Sequence, residues 1–274
     1  MSTITLKTDR DIEQLRAAAD LVSRTLGEIA PLVKPGVTSR HLDQVAETFI
    51  RDHGAEPAFK GYTVGKAVYP STLCVSVDDV IVHGIPGDDE LREGHLVSID
   101  CGVVLDGYYG DSAYTFAVGE LSDEVRELCT TTWEALGLAI DAAVVGGRIG
   151  DVSAAVQRHC EGRGYGVVRD LVGHGIGRSL HEAPQVPNFG RAGVGRKMKN
   201  GMTLCIEPMI SLGTYDVTTD SDHWTVRTAD GSVSAHYEHM VAIRTGGTEV
   251  LTTFAYIEEV VATPYRHQEE TTNA

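Results

Sequence analysis

The chain lacks the marks of a secreted, membrane-spanning or nucleic-acid-binding protein. Its 274 residues contain five cysteines, an odd number with no CxxC pair, which predicts reduced thiols and not a disulfide framework. No apolar run approaches the roughly 18 residues that a membrane helix needs, and the first residues lack the basic and apolar regions of a secretory signal. The chain has only 23 Lys and Arg residues against 39 Asp and Glu residues, so its net charge of −16 repels phosphates and anionic lipids. We therefore expect a cytoplasmic protein with no membrane partner and no specific nucleic-acid partner.

What is present is the composition of a folded protein, with 42% hydrophobic and 23% charged residues. The length allows one large domain or two small ones. Four helices are predicted, each with a capping residue ahead of apolar residues at three- and four-residue spacing. They begin at Thr8, after Thr38, at Ser122 and at Asp151, and they end near Pro31, at Gly54, at Gly146-Gly147 and by Gly162.

Strands are predicted between and after these helices. The apolar stretches cover residues 72–77, 96–105, 108–118, 202–210, 225–227, 236–243 and 249–253. A pair of helices precedes a group of strands twice in the chain. This recurrence indicates either two similar halves that enclose a cleft or a chance pattern of the kind that mixed proteins often show.

The first candidate site is a pair of aspartates in a predicted hairpin. Asp106-Gly107 is a preferred two-residue hairpin turn, so Asp111 is expected opposite Gly102. Asp100, two residues from Gly102, then lies on the same sheet face as Asp111, about 7–8 Å away at the backbone. A buried carboxylate is costly unless it is neutralised, which favours a divalent metal. The alternative is a solvated pair of aspartates on an open sheet face.

Further polar residues in apolar or glycine-rich surroundings favour the metal interpretation. His174 and His181 lie in a glycine-rich segment, Glu207 follows an apolar strand and precedes Pro208, and Glu238 leads into another apolar strand. Four carboxylates and one imidazole are mostly hard oxygen donors. Such donors are typical of Mn²⁺, Fe²⁺, Co²⁺ or Zn²⁺ sites and not of a thiolate-type site. Their charge of −4 balances two divalent ions. Two such ions about 3.5–4 Å apart activate a bridging water, so the chemistry that we expect is hydrolysis.

The order and spacing of five motifs resemble the methionine aminopeptidases of the short, bacterial, type I class. The motifs are VHGIP at 82–86, DCG at 100–102 with GD at 110–111, GHGIG at 173–177, IEP at 206–208 and YEH at 237–239. The resemblance spans about residues 8–255. It implies an α+β pita-bread fold, in which two pseudo-symmetric halves with antiparallel sheets enclose a dinuclear metal cleft. Residues 1–263 would form one catalytic domain, with halves of about 8–120 and 121–255, and residues 264–274 a disordered tail.

The resemblance also assigns roles to individual residues. It makes Asp100 a ligand of one divalent ion, His174 and Glu207 ligands of the other, and Asp111 and Glu238 bridges between them. His83 and His181 resemble the family's histidines that bind the scissile amide and the substrate carbonyl, and Glu207 resembles its proton shuttle. The methionine pocket would be lined by Tyr62, Tyr69, Cys74 and Trp224. Without the motif, His83 beside Gly84 would be interpreted as a turn histidine, and the pocket residues as ordinary core.

Some positions depart from the family pattern and leave the outline of the pocket open. Leu180 stands where an aromatic residue is common, Asp78-Asp79 replaces Asn-Glu, and residues 62–70 contain a few extra residues. The departures also leave open any site for a monovalent cation, but they leave the five ligands intact.

The activity implied is removal of the initiator methionine from new polypeptides whose second residue is small, by a monomer that meets its substrates at the ribosome. The alternatives are a proline-specific peptidase of the same fold and a non-catalytic binding protein. The basic residues Arg191, Arg196, Lys197 and Lys199 form either a contact surface or a solvated loop.

Overall fold

The computed structural model describes residues 3–265, and its helices begin where capping residues satisfy the first free backbone N–H groups. Thr8 accepts a hydrogen bond from Asp11 N, Thr38 from His41 N and Ser122 from Val125 N. These three helix starts are as predicted. The helices are α1 (Asp9–Ile29), α2 (Ser39–Asp52), α3 (Asp123–Ala142), α4 (Ile149–Glu161) and α5 (Ala255–Glu258), and a 3₁₀ turn follows α1 at Ala30–Leu32.

Two predicted helix boundaries are wrong. Asp151 does not cap α4 from outside, because the helix already begins at Ile149 with Arg148 as its N-cap. Asp151 lies in the first turn instead, where its carboxylate accepts hydrogen bonds from Arg148 N and Gly193 N, each at 2.7 Å. Helix α3 ends at Ala142, before the predicted glycine pair, and α5 was not predicted.

The strands are mostly short, and every pair among them is antiparallel. Their bounds are β1 (Glu56–Pro57), β2 (Thr63–Val64), β3 (Ala67–Val68), β4 (Leu73–Val77), β5 (Val80–Val82), β6 (Leu96–Leu105), β7 (Tyr108–Ala117), β8 (Gly166–Val167), β9 (Gly173–Gly175), β10 (Glu182–Val186), β11 (Thr203–Ile206), β12 (Met209–Ser211), β13 (Val217–Thr219), β14 (Val226–Thr228), β15 (Ser234–His236), β16 (His239–Ala242) and β17 (Glu249–Val250). The prediction missed β1–β3, β5, β8–β10 and β13; apart from the five-residue β10, these strands have only two or three residues and show no periodic pattern.

The first sheet is built around the long hairpin of β6 and β7, with β1 and β4 paired to β6. The predicted register is confirmed, since Leu105 pairs with Tyr108 and Gly102 with Asp111. On the other side of β6, Cys74 of β4 lies opposite Asp100. This register places a small side chain of β4 next to the carboxylate of β6.

In the second half, two strands that were predicted as continuous are each interrupted. The predicted strand over 202–210 divides into β11 and β12, and the one over 236–243 starts on the last residue of β15 and, after a break at 237–238, covers β16. Pro208 explains the first break because it has no N–H to donate to a ladder. β11 then pairs with β16 in a five-stranded sheet of order β10-β9-β11-β16-β17, whereas β12 pairs with β15 in a separate sheet with β8. Glu207 and Glu238 therefore lie in the breaks and not within strands.

Helices cover these sheets, and a hydrophobic core lies between the two layers. In each half two helices precede the main strands of that half. No helix of residues 3–265 is long and apolar enough to cross a membrane. The predicted tail at 264–274 falls outside the described residues from 266 onward. Tyr265 is described, and its ring stacks on Trp133 with centroids 4.7 Å apart.

We expect Gly110→Ala to destabilise the fold, because α1 packs directly on β7 at this glycine. A Cβ at position 110 would lie 2.6 Å from the carbonyl carbon and oxygen of Ala18. Overpacking of this kind costs about 1–3 kcal/mol. Gly137→Ala in α3 is the matched control, since no atom lies within 4 Å of the added Cβ and alanine favours a helix by about 0.8–1 kcal/mol. Urea unfolding of both variants tests the packing, and equal stability of Gly110→Ala and the parent protein would contradict it.

Candidate metal centre

Five side chains from separate parts of the chain converge on one cavity of about 340 Å³. Asp100 projects from β6, Asp111 from β7 and His174 from β9. Glu207 and Glu238 come from the two strand breaks, which face each other because Ile206 pairs with His239. The hairpin register and the paired breaks together bring all five predicted ligands to the same cavity.

The distances among these groups place them within reach of shared cations. His174 Nε2 lies 3.7 Å from Asp111 Oδ2 and 3.5 Å from Glu207 Oε1. One ligand atom each of Asp111, His174, Cys205 and Glu238 lies within 4.8 Å of all the others. The Asp100 carboxyl group interacts directly with that of Asp111. Asp100 therefore adjoins the cluster beside Asp111, and Glu207 adjoins it beside His174.

The cluster is electrostatically unfavourable without cations. Burial raises the pKa of Asp100 to about 7. Burial, together with the charges of neighbouring carboxylates, raises the pKa values of Asp111, Glu207 and Glu238 well above their ordinary range. Burial also lowers the pKa of His174 to about 3, so this imidazole is neutral and able to bind a metal. Divalent cations would relieve both the desolvation and the repulsion.

The donor atoms fit a hard divalent cation. Asp100 Oδ1, Asp111 Oδ1 and Glu238 Oε1 are buried and have no hydrogen-bond partner among the described residues. Buried carboxylate oxygens are rarely left unpaired, so these three atoms point to missing cation ligation. Carboxylate oxygens with one imidazole are a donor set for Mn²⁺, Fe²⁺, Co²⁺ or Zn²⁺.

Cys205 is a neighbour of the centre that the sequence analysis missed. It is the third residue of β11, fully buried, and its Sγ lies within 4.8 Å of a Glu238 carboxylate oxygen. Burial and the nearby carboxylates raise its pKa well above the ordinary value, so the group stays a thiol. Only its position two residues before Glu207 could have indicated this contact.

The two histidines to which the family resemblance gives a substrate-binding role, His83 and His181, line the same cavity. The ring of His181 contacts that of His174 with centroids 4.4 Å apart, and Tyr62 Oη lies 2.6 Å from His181 Nδ1. His83 has a positive φ of 60°, which is unusual for a residue other than glycine. Burial lowers the pKa of His83 to about 4 and also lowers that of His181, so both rings are neutral near pH 7.

The predicted pocket residues line the same cavity. The rings of Tyr69 and Trp224 meet edge to face at 5.2 Å, and Cys74 lies beside Asp100 through the strand register. Tyr62 stands at the opening with His181. The sequence analysis missed other lining residues, Phe59, Val64, Asp170, Leu171, Val172, Met209 and His236, because no motif singles them out.

The departures from the family pattern have local structural explanations. Leu180 is buried and lines the cavity. The Asp79 carboxylate pairs with Arg227 at 3.0 Å, and the Asp78 carboxylate accepts a hydrogen bond from Leu96 N. The basic residues 191, 196, 197 and 199 are exposed in the segment between β10 and β11.

Comparison with known proteins agrees with this geometry. The model of metallopeptidase family M24 matches residues 13–245. A methionine aminopeptidase of Clostridium acetobutylicum is 48% identical over 250 residues, which are 91% of this chain and 98% of that protein. The crystal structure of methionine aminopeptidase from Rickettsia prowazekii has a TM-score of 0.89 and 39% identity, and the match covers 92% of this chain and all of that one. Prolidase from Pyrococcus furiosus has a TM-score of 0.73 at 24% identity, which shows a shared fold alone; the match covers 90% of this chain and 65% of that one.

The chain is thus a metal-dependent hydrolase of metallopeptidase family M24 with the pita-bread fold. Within that family it belongs with the methionine aminopeptidases. The resemblance drawn from the motifs is confirmed, as are the fold class and the use of divalent metal.

Removal of divalent metal should lower the thermal stability of the protein. Metal present at a hundred times its dissociation constant stabilises the fold by about 2.7 kcal/mol, or roughly 5–10 °C in Tm for a chain of this size. Asp111→Asn should reduce this shift, because it removes one carboxylate that the cations neutralise. Scanning calorimetry with and without a chelator measures the shift. Asp141→Asn, at an exposed position in α3, is the control. A chelator shift in Asp111→Asn equal to that of the parent protein would rule out Asp111 as a ligand.

Proposed function

We propose that this enzyme removes the N-terminal methionine of newly made polypeptides when the second residue is small. The observation that carries the proposal is a single cavity in which an apolar pocket adjoins the carboxylate cluster, since Cys74 and Asp100 are direct neighbours across two strands. The names of the relatives support the same substrate.

The five ligands are proposed to hold two divalent ions. Asp100 would bind one ion, His174 and Glu207 the other, and Asp111 and Glu238 would bridge them. The charge of four carboxylates supports this number, because one divalent ion would leave the buried cluster at −2. Co²⁺, Mn²⁺, Fe²⁺ and Zn²⁺ all suit this donor set.

The chemistry that such ions supply when bound is Lewis-acid activation, which makes a water acidic enough to attack at neutral pH and polarises the scissile carbonyl. The chain's own residues would do the rest. His83 and His181, both neutral, would form hydrogen bonds with the scissile amide and the substrate carbonyl. Glu207, ionised as a ligand, would accept the proton that the attacking water releases and pass it to the leaving amine.

The pocket residues are proposed to select the first side chain. The thioether of methionine is unbranched and polarisable, which suits contact with the Cys74 thiol and with the Tyr69 and Trp224 rings. Tyr62 completes the pocket at its opening. The second residue lies next to the histidines and the ligands, so a bulky side chain there would obstruct the approach of its amide.

The proposal also covers the domain organisation, the oligomeric state and the location of the enzyme. Residues 1–263 would act as one catalytic domain, in a monomer that meets nascent chains at the ribosome in the cytoplasm. All five cysteines are free and buried, which supports a reducing compartment. The proline-specific alternative is not favoured, because the prolidases and X-Pro peptidases share the fold at only 21–24% identity. A non-catalytic binder would have no need of five converging ligands.

His83→Ala should lower kcat about 10²–10⁴-fold while the bound metal stays unchanged. This range is typical of lost proton-transfer or oxyanion contacts. Metal analysis alongside steady-state kinetics on a Met-Gly peptide tests the role. His41→Ala, at an exposed position in α2, is the control. If His83→Ala loses metal together with activity, His83 is a ligand and the assignment is wrong.

The selectivity of the enzyme should follow the second residue of the substrate. Met-Gly, Met-Ala and Met-Ser peptides should be cleaved well, and Met-Lys, Met-Leu and formyl-Met peptides poorly. Each clashing methylene is worth about 1–3 kcal/mol, or 10–200-fold in kcat/KM. A tripeptide panel assayed with Mn²⁺ and with Co²⁺ provides the measurement. Preference for an Ala-Pro start over Met-Ala would transfer the chain to the proline-specific branch, and absence of cleavage with every metal would favour the binding protein.

A further inference from the structure

A small hairpin, formed by β2 and β3, stands at the opening of the cavity. Thr63 pairs with Val68 and Val64 with Ala67, around a turn of Gly65 and Lys66. Gly65 has a φ of 60°, which a two-residue turn of this kind requires at its first central position. The ladder continues into the pocket, because Tyr69 N donates to Tyr62 O and Gly61 N donates to Tyr69 O, both at 2.8 Å. Backbone hydrogen bonds of Tyr62 and Tyr69, two residues of the proposed pocket, therefore hold the base of the hairpin.

The two strands of the hairpin each carry an exposed valine, but the two valines differ in their surroundings. Val64 is 58% exposed and Val68 56% exposed. Val64 lines the cavity that holds the carboxylate cluster, whereas Val68 does not. Val64 thus presents apolar surface to solvent at the edge of this cavity.

The position of Val64 along a bound substrate follows from its neighbour Tyr62. Tyr62 Oη lies 2.6 Å from His181 Nδ1, and His181 is proposed to bind the scissile carbonyl, which belongs to the first substrate residue. Residues two apart in extended chain lie on the same face, about 6.6 Å from each other. An extended peptide advances by the same distance over two residues. A substrate that extends from His181 along this edge of the hairpin would therefore bring its third residue to Val64.

We propose that Val64 forms a subsite for the third side chain of the substrate and selects apolar residues there. This inference rests on the proposed function, because it takes the bond contacted by His181 as the one that is cleaved. An apolar third side chain covers Val64 and removes its surface from water. Covering about 40 Å² of apolar surface corresponds to about fivefold in kcat/KM.

The test compares two peptides whose third residues are nearly equal in size and differ in polarity, Met-Gly-Leu-amide and Met-Gly-Asn-amide. The metal-loaded parent enzyme should prefer the leucine peptide about fivefold. Val64→Ser should reduce the ratio to about one, and Val64→Leu should keep or raise it. Val68→Ser is the matched control, since it changes the same residue type at the same exposure on the same hairpin. It should leave the ratio at the parent value.

The outcomes separate this inference from the function on which it rests. Equal kcat/KM for the two peptides in the parent enzyme, or an equal fall of the ratio in Val64→Ser and Val68→Ser, would overturn the subsite and leave methionine removal standing. Failure of the parent enzyme to cleave either peptide would overturn both. Circular dichroism of Val64→Ser shows whether the fold is intact, and Val64→Leu tests the subsite if it is not.

Discussion

The repulsion among four buried carboxylates is the physical constraint on which the rest of this structure depends. Asp100, Asp111, Glu207 and Glu238 share one cavity, and burial raises the pKa of each of them. A fold gains nothing in stability by collecting such groups, because each charge loses its hydration and meets like charges. The arrangement is favourable only with cations between the carboxylates. Stability and activity of this protein are therefore coupled through the same ions.

The scaffold supplies the rigidity that this arrangement needs. Two of the carboxylates stand on the longest hairpin of the protein, whose ten-residue strands pair over their whole length. Glu207 and Glu238 lie between the β11·β16 ladder and the β12·β15 ladder, where both chain segments leave one sheet and enter another. Backbone hydrogen bonds on both sides of each break fix the direction in which Glu207 and Glu238 project. Ligand groups on strands and at such junctions are held more accurately than groups on free loops.

One residue with a left-handed backbone and five of the nine buried unpaired side-chain atoms among the described residues line the same cavity. His83 keeps a left-handed backbone conformation, and Asp100, Asp111, Trp224, His236 and Glu238 each have a buried side-chain atom without a partner among the described residues. Such features cost stability, and they persist where the surrounding structure holds them for function. The core clusters that surround the cavity on both sides provide that support.

Much of this protein was determined by the sequence through local rules. The Asp106-Gly107 turn sets the hairpin register, which alone places Asp111 opposite Gly102, and Thr8, Thr38 and Ser122 set three helix starts. The five motifs identified the family. Asp151 was misplaced because an acid suits the cap and the first turn of a helix equally well. Only the tertiary structure decided that Glu238 leaves its strand opposite Glu207, that Cys205 lies beside Glu238, and that Val64 reaches the cavity. The physical reason is that these positions depend on pairing between segments far apart in the chain, which no local pattern encodes.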